Sequence, residues 1–424
     1  MDQNKNPVIL SKYLVIVAGV VIMLCLGVAY SWGVFLLPIE QSMGWSRAAI
    51  SLAVSILLLV FSGFMSIGGF CEKKYGPRIT AAVGGLLVAL GWIGASFSQS
   101  PGWLYLFYGV LGGIGTGLGY IPSVSCGIKW FPGKKGLVTG IIIFGFGFGA
   151  AFLSPVMTYF INVFGWRSTM LYGGIVFGFL IFTFAQLLKE PVHDPAASGA
   201  QAQEPERDYS PGQMIKTSAF KVLFVTYFLA MVAGMMTIGH VVAFAMGQGL
   251  TAIQGAFALT ILSVFNGVGR VLAGYLSDLW GGRKALVLLF FLIGMGMFLF
   301  FHATGITSFY LLSAFIGLCF GGFLAVYPPL TAEYYGKKNF AVNYGLVFIG
   351  YGSGCFLGPL AGGLVYDFFQ SYMKAFYASG FLALLGGVVV WFLLQKPGEA
   401  SEPEPVYTDP GFGENILLHK EELK

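Results

Sequence analysis

The chain has 424 residues, of which 57% are hydrophobic and 10% are charged, and its formal net charge is +5. This is far more apolar surface than a water-soluble fold of this length could bury, so the composition indicates a polytopic membrane protein embedded in a lipid bilayer. A β-barrel is excluded, because the apolar runs are about 20 residues long where barrel strands would have about 10 residues of alternating character. The small positive charge follows membrane topology and does not point to nucleic acid.

Twelve apolar segments, each close to the ~20 residues that a bilayer requires, predict an all-α fold of twelve transmembrane helices. The first segment is too long for the apolar region of a signal peptide and is followed by further spans. In chain order, predicted spans 1 to 12 cover residues 13–37, 48–71, 79–98, 103–128, 136–163, 166–188, 219–247, 253–276, 284–303, 307–332, 339–367 and 372–394.

One long polar connection divides the spans into two groups of six. Residues 189–218 contain four prolines among acidic, amide and hydroxyl side chains, which predicts a flexible linker. The prediction is therefore an N-terminal six-helix bundle (1–188), the linker, a C-terminal six-helix bundle (219–394) and a flexible tail (395–424).

Lysine and arginine are concentrated on one side of the predicted spans. If the N-terminus is cytoplasmic, the outer side carries only Arg47, Arg167 and Lys374. The positive-inside rule then places both termini, the linker and the tail in the cytoplasm. The inner basic residues include Lys73, Lys74, Arg78, Lys129, Lys134, Lys135, Arg283, Lys284, Lys337 and Lys338.

The two halves repeat each other in sequence. Gly133-Lys134-Lys135 before span 5 recurs as Gly336-Lys337-Lys338 before span 11, and Phe152-Leu153-Ser154-Pro155 recurs as Phe356-Leu357-Gly358-Pro359. Parallel six-span repeats predict a pseudo-twofold axis along the membrane normal and a binding site between the halves near the midplane.

Arg270 is the one clear charge inside an apolar segment, about 12 Å from the inner end of span 8. An arginine in a spanning helix costs roughly 2.5–3.5 kcal/mol, so it normally faces a protein interior or a wet cavity on a substrate path. Its planar guanidinium matches two carboxylate oxygens, which predicts a carboxylate substrate. The alternative is a structural arginine paired with an acid, although Glu72, Asp278 and the other acids fall at span ends.

Further polar side chains are expected around a central cavity, and each of them has packing as its alternative role. Asn266 precedes Arg270 by one helical turn and shares its face. His240 in span 7 has the titration range for proton relay or substrate contact, and a packed neutral histidine is the competing interpretation. Phenol groups suit a small pocket with a few hydrogen bonds. The tyrosine candidates are Tyr30, Tyr120, Tyr327 and Tyr351.

Enzymatic chemistry is not expected from this sequence. The five cysteines show no C-x-x-C or Cys/His spacing, and neither a nucleophile elbow nor a phosphate-binding loop occurs. We therefore expect no metal, no cofactor and no catalytic residues. The glycine-rich runs at 112–119 and 145–149 are interpreted as helix-packing seams.

The loop between spans 8 and 9 carries a recognisable pattern. Gly274, Asp278, Gly281 and Arg283 fit Gly-x-x-x-Asp-x-x-Gly-Arg/Lys with one extra glycine before the arginine. In this respect the sequence resembles the major facilitator superfamily, and the resemblance implies that Asp278 and Arg283 act in gating. The copy between spans 2 and 3 departs from the pattern, since Lys73 occupies the acid position and Glu72 comes one residue early.

Other segments resemble the oxalate/formate antiporter and monocarboxylate transporter branches, namely Trp130 to Gly140, Tyr30-Ser31-Trp32 and Phe265-Asn266-Gly267 with Arg270. Animal-type monocarboxylate transporters carry an aspartate at the position of Asn266, where it is implicated in proton coupling. Oxalate-exchanging members carry a lysine at the position of Tyr351. One cavity cation instead of two favours a monoanion, because a dianion would leave one charge unpaired in low dielectric.

These features together predict a secondary active transporter of small monocarboxylates such as lactate, pyruvate or formate. We expect proton symport with alternating access around Arg270, the proton travelling with the substrate or on His240. The alternatives are a carboxylate exchanger of the oxalate/formate type and a non-transporting sensor with a carrier fold. Short loops and the resemblance suggest a prokaryotic cell (inner) membrane, and a functional monomer is expected.

Overall fold

The protein is described by a computed structural model, in which the chain is helical and shows no strand over the residues described. Most of the predicted linker and most of the predicted tail lie outside them. The described ranges are 6–191, 208–303, 305–369 and 371–397.

The N-terminal half forms six helices with two local irregularities. A 3-10 turn, Gly27–Ser31, interrupts span 1, and a π-helical turn, Tyr105–Leu111, interrupts span 4. The helices are Asn6–Leu26, Gly33–Met43, Arg47–Ser96, Pro101–Leu104, Gly112–Trp130 and Lys135–Ala185.

The C-terminal half starts with one short helix and continues with six long ones. Their bounds are Pro211–Met214, Ser218–Gly247, Ala252–Trp280, Gly282–Phe301, Gly305–Tyr335, Phe340–Phe369 and Met373–Leu393.

Ten helices of the described chain are long and apolar enough to cross a membrane, and two of these each contain two predicted spans. Arg47–Ser96 covers spans 2 and 3 and breaks at Gly76, while Lys135–Ala185 covers spans 5 and 6 and breaks at Gly165. Both glycines have φ near +80°, a conformation that a residue with a Cβ rarely adopts. The two breaks turn the ten continuous helices into twelve membrane crossings.

The two halves meet along two seams. In the first, span 5 packs on span 8, with the backbones of Gly136 and Gly274 in direct contact. In the second, span 2 packs on span 11, where a Cβ added to Gly345 would lie 2.5 Å from the Cα of Ser66. Such approaches need small residues, as is usual where membrane helices pack tightly. We call these the 5/8 seam and the 2/11 seam.

Both seams run toward the face of the molecule that carries Lys73, Lys134, Lys337 and Lys338, which we call the basic face. Gly69 marks the 2/11 seam there, since a Cβ on it would lie 2.5 Å from the carbonyl carbon of Ala341. The halves are therefore closed against each other on the basic face.

Large apolar side chains cover the outside of the helix bundle. Phe179, Phe381 and Phe392 are each about two-thirds exposed. In water such a surface would be unfavourable, whereas lipid tails solvate it readily. Exposed aromatic and aliphatic side chains on spanning helices are thus consistent with a multi-pass membrane protein.

The described end of the linker is ordered against the C-terminal half. Ser210 and Gln213 form a capping box at the start of Pro211–Met214, and the Tyr209 N–H donates a hydrogen bond to the Tyr335 carbonyl at 3.0 Å. The sequence predicts flexibility over 189–218. Within that range, the contacts just described involve Tyr209, Ser210 and Gln213.

Candidate functional site

Arg270 is fully buried in the helix Ala252–Trp280, where the two halves meet. Its Nε and Nη2 groups donate hydrogen bonds to Asn266 Oδ1 at 3.1 and 2.9 Å, and its Nη1 donates one to the Ile143 carbonyl at 2.6 Å. Asn266 lies one turn earlier on the same face, as expected from the spacing. The guanidinium thus joins span 8 to span 5 of the other half.

The charge of Arg270 has no counterion among the described residues. Its three hydrogen bonds go to an amide oxygen and a backbone carbonyl, and they use three of the five N–H groups of a guanidinium. A buried cation without an acid is costly, because neutral acceptors repay only part of the lost hydration. Two N–H groups and one positive charge therefore remain for an anionic ligand.

Glycine at position 147 makes room for this guanidinium. A Cβ on Gly147 would lie 2.9 Å from Arg270 Cζ and 3.0 Å from its Nε. Gly145 and Gly149, on another face of the same helix, approach the backbone of span 1 instead. The glycine run in span 5 is thus a packing seam as expected, and its middle member also contacts the arginine.

Two of the predicted tyrosines link the halves directly. The hydroxyl groups of Tyr30 in span 1 and Tyr351 in span 11 form a short hydrogen bond with each other. Tyr351 is buried, whereas Tyr30 is partly exposed and lines the central cavity. The sequence does not reveal this contact, because the partners are 321 residues apart.

The other two predicted tyrosines occupy different surroundings. Tyr327 donates a hydrogen bond to Thr226 Oγ1 at 2.9 Å and stacks on Tyr227 with ring centroids 3.8 Å apart, a packing contact within the C-terminal half. The Tyr120 ring packs on Phe61 and Phe146 within the N-terminal half.

An aromatic cluster around Phe348 was not anticipated from the sequence. Tyr120, Tyr227 and Tyr344 pack around this ring with centroids 5.6–5.9 Å away, and Tyr351 stacks on it at 4.2 Å. The hydroxyls of Tyr120, Tyr227 and Tyr344 are buried near one another, but among the described residues none has a partner in good hydrogen-bond geometry. Tyr344 precedes Tyr351 by seven residues and so shares its helix face, a spacing from which it could have been found.

His240 is not joined to Arg270 or Asn266 by any described contact. Its Nε2 lies 2.8 Å from the Pro359 carbonyl, and its ring packs against Tyr372 at 5.1 Å. These partners place it between spans 7, 11 and 12 of the C-terminal half.

A cavity of about 140 Å³ is lined by Asn266 and Gly147, the two residues that lie against the Arg270 guanidinium. Its polar lining consists of Tyr30, Ser263 and Asn266. The rest of its wall is apolar or glycine, contributed by spans 5, 7, 8 and 10. Those residues are Gly147, Met235, Ile238, Leu259, Leu262 and Phe320.

The two predicted gating residues have separate partners. Asp278 crosses the 5/8 seam, where its carboxylate oxygens accept hydrogen bonds from the N–H groups of Gly136 and Leu137, each at 2.8 Å. Arg283 instead donates a short hydrogen bond to the Trp391 carbonyl within the C-terminal half. Asp278 thus stabilises the first turn of span 5 by charge and hydrogen bonding together.

The comparison with known proteins decides the family. The sequence model described as the Major Facilitator Superfamily matches residues 17–308 and, in a second match, residues 223–413. The chain belongs to the major facilitator superfamily. The superfamily fold of twelve transmembrane helices in two pseudo-symmetric six-helix bundles, expected from the repeats, is confirmed.

Relatives of this chain include members of the two branches that the motifs resemble. The oxalate:formate antiporter of Oxalobacter formigenes is 27% identical over 382 residues, which cover 89% of this chain and 90% of that protein. Monocarboxylate transporter 13 of Rattus norvegicus is 28% identical over 370 residues, covering 87% and 85%. The resemblance to both branches is confirmed.

Solved superfamily structures show the same fold. FucP in the outward conformation aligns with a TM-score of 0.69 at 15% identity, covering 91% of this chain and 100% of that one. The proton:xylose symporter XylE aligns with a TM-score of 0.66 at 16% identity, covering 91% and 96%.

The first copy of the superfamily loop, between spans 2 and 3, makes different contacts from the second copy, between spans 8 and 9. Glu72 turns into the N-terminal half, where its Oε1 accepts hydrogen bonds from Ser125 and Lys129 and where Lys129 also pairs with Glu190 at 2.5 Å. Lys73 crosses the 2/11 seam and donates to Asn339 Oδ1 at 2.8 Å. A shift of one residue rotates a helical side chain by about 100°, which explains why the early acid cannot cross the seam.

Proposed function

We propose that this protein is a secondary active transporter of small monocarboxylates, in which the two halves rock around a site centred on Arg270. The superfamily and the relatives are transporters, and two relatives are named for oxalate and formate and for monocarboxylates. The observation that carries the proposal is the buried guanidinium without a described acidic partner. Its two remaining N–H groups suit a carboxylate, which accepts two parallel hydrogen bonds.

The positive charge of Arg270 gives a physical reason why the two halves rock only when substrate is bound. An empty site carries an uncompensated positive charge in low dielectric, which opposes moving it through an occluded state. A bound monocarboxylate neutralises that charge and lowers the barrier. Rocking is then favoured only when substrate is present, as alternating access requires.

A monoanion fits the site better than a dianion. Tyr351 stands where a second cation is expected from the oxalate-exchanging relatives, and its hydroxyl is bonded to Tyr30. A second carboxylate would meet neutral phenols and would remain uncompensated. We therefore propose lactate, pyruvate or formate as the substrate class.

We propose proton symport as the form of coupling. Asn266 cannot titrate, so the proton travels with the substrate carboxylate or on His240, which is held by a carbonyl away from the arginine. Exchange of carboxylates is the second candidate, supported by the oxalate:formate antiporter among the relatives. Neither route requires a cofactor or a catalytic residue.

The basic face is proposed to be the cytoplasmic face, with both termini there and the protein acting as a monomer in the cell (inner) membrane. Asp278 then closes the cytoplasmic side of the 5/8 seam, and Arg283 supports it by fixing span 9 to the Trp391 carbonyl. The backbone contacts across both seams on the basic face favour entry of substrate from the opposite face.

The deciding experiment is uptake of labelled L-lactate by purified protein in liposomes with an inward proton gradient. Uptake into empty vesicles driven by the gradient would support symport. Uptake only into vesicles preloaded with carboxylate would establish exchange instead. Absence of uptake under both conditions, and also with pyruvate and formate, would refute the monocarboxylate proposal.

A further inference from the structure

The cavity beside Arg270 has one polar end and one apolar end. Asn266, which binds the Arg270 guanidinium, lies at the polar end with Tyr30. Leu262 and Leu259 lie two and three turns from Arg270 along span 8. Met235 and Ile238, on span 7, line the same apolar end. A ligand anchored at Arg270 would therefore point its other end at aliphatic side chains.

The size of the cavity sets the size of that other end. Each water molecule in the liquid takes about 30 Å³, so a cavity of about 140 Å³ holds on the order of five waters. Formate would leave most of this volume filled with water against apolar walls. A carboxylate with a tail of several carbon atoms would displace that water favourably.

We propose that Met235, Ile238, Leu259 and Leu262 form a tail subsite, which makes the preferred substrates monocarboxylates with an aliphatic tail of about two to four carbon atoms. This inference rests on the proposed function, because it takes Arg270 as the carboxylate anchor. Ser263 also lines the cavity, but its hydroxyl group already donates a hydrogen bond to the Leu259 carbonyl at 2.8 Å. Its O–H group is therefore not available to the tail. Within the proposed class, formate is accordingly the poorest substrate, and oxalate is a poor substrate as well.

The test is competition by a series of acids against labelled pyruvate uptake into proteoliposomes. The series runs from formate through pyruvate to straight-chain 2-oxo acids of increasing length. We expect the apparent affinity to rise about fourfold for each added methylene until the subsite is full. Leu259→Phe should remove this rise by filling the subsite, and Ile238→Ala should shift the best substrate to a longer chain.

The outcomes separate this proposal from the one on which it rests. If all acids compete equally and neither variant changes their order, the tail subsite is refuted and carboxylate transport stands. If pyruvate is not transported at all, the proposed function fails first. The subsite would be established if apparent affinity rises with chain length, if Leu259→Phe removes that rise and if Ile238→Ala moves the optimum to a longer acid.

A second inference comes from the linker. Tyr209 offers its carbonyl to the Nδ2 groups of Asn339 and Asn343, at 3.0 and 3.1 Å. The Oδ1 atom of Asn339 in turn accepts a hydrogen bond from Lys73 Nζ at 2.8 Å. Because the carbonyl fixes which way the Asn339 amide faces, it also presents the amide oxygen to the lysine. A hydrogen-bond chain thus runs from the linker to the opposite half.

The acid missing from the loop between spans 2 and 3 is supplied nearby by the linker. Asp208 Oδ1 accepts a hydrogen bond from the Lys338 N–H at 3.0 Å, at the start of span 11. This mirrors Asp278 at the start of span 5, except that Asp208 belongs to the same half as the helix it contacts. Lys73, Asp208 and Asn339 all line a cleft of about 1060 Å³ on the basic face.

We infer that Asp208 and Tyr209 are positioning residues of the transport cycle, holding Asn339 so that Lys73 can close the 2/11 seam. The linker end is then part of the gate as well as a connection between bundles. Losing the Asp208 contact should make the basic face open more often.

The test measures how fast a cysteine on the opposite seam is labelled. Ser277→Cys places a nearly isosteric, buried reporter on the 5/8 seam, in a background where the partly exposed Cys71 is replaced by serine. Asp208→Ala should raise the rate of maleimide labelling about two- to fivefold, the effect of one exposed charge at a helix start. Lys216→Ala, an exposed change in the same segment, should leave the rate unchanged.

A double-mutant cycle distinguishes positioning from mere anchoring. If Asp208 acts through Asn339 and Lys73, its replacement should have no further effect in a Lys73→Met background. Additive effects of the two changes, or an unchanged labelling rate in Asp208→Ala, would overturn the inference. Because labelling needs no substrate, this test is independent of the carboxylate proposal.

Discussion

Closure of the basic face depends on glycine at the 2/11 seam, and Gly345→Ala tests this. The added Cβ would lie 2.5 Å from both the Cα and the N of Ser66, whereas ordinary contacts begin at 3.4 Å. Both partners are backbone atoms, so the two helices must separate by nearly 1 Å. Overpacking of this kind costs about 1–3 kcal/mol.

That cost falls on the closed state alone, because the seam separates when the basic face opens. The fraction of Gly345→Ala molecules that are open at the basic face should therefore rise by about five- to 150-fold. We expect the Ser277→Cys reporter on the other seam to be labelled faster by a similar factor. Because this reporter lies on the 5/8 seam, its labelling rate rises only if the two halves move apart as units. A local distortion near Gly345 would leave the rate unchanged.

Gly63→Ala is the matched control, because Gly63 lies on span 2 only three residues from Ser66 but has open space where its Cβ would be. It should leave labelling unchanged. Equal labelling rates for Gly345→Ala, Gly63→Ala and the parent would show that the seam does not separate during opening and would refute the reasoning.

Three further predictions concern the central site. Gly147→Ala should displace the Arg270 guanidinium by about 0.5 Å and weaken substrate affinity roughly tenfold, measured as KM for lactate, while Gly63→Ala has no effect. Tyr351→Lys should add a second cation and confer measurable oxalate uptake at the expense of lactate uptake; unchanged selectivity would contradict the one-cation argument. His240→Gln keeps a donor for the Pro359 carbonyl without a titrating ring, so gradient-driven uptake should persist if the proton travels with the substrate, and its loss would assign the proton to His240.

The fold was predictable because membrane helices are recognised by their length and composition. The twelve spans, their division into halves and the superfamily followed from apolar runs and repeated motifs. The tight connection of spans 2 and 3 at Gly76 was not predictable, because a single glycine with φ of +82° lets helical hydrogen bonding resume directly after the break.

The centre of the site was predictable for a different reason. Arg270 stands out because a charge in an apolar segment is costly, and Asn266 follows from helical spacing. The pairing of Tyr30 with Tyr351 depends on how two distant helices cross, which local patterns do not encode. The apolar cavity wall is equally hidden, since Met235 and Leu262 look like any other residues of a spanning helix.

The ordered end of the linker carries a local signal that the polar composition of the segment masks. Ser210 and Gln213 have the spacing of a capping box, which predicts a helix start within an otherwise polar stretch. The contacts of Tyr209 with Asn339 and Asn343 still required the structure, because they join segments far apart in the chain.

The most direct test of the central claim is L-lactate uptake by Arg270→Ala and Arg270→Lys beside the parent protein, each shown to be folded by its elution and melting profile. Two charge-assisted hydrogen bonds at about 1.5–3 kcal/mol each correspond to a loss of about a hundredfold or more when the guanidinium is removed. We expect no measurable uptake for Arg270→Ala and a small residual rate for Arg270→Lys, which keeps the charge without the fork. Uptake by folded Arg270→Ala within a few-fold of the parent would contradict the account.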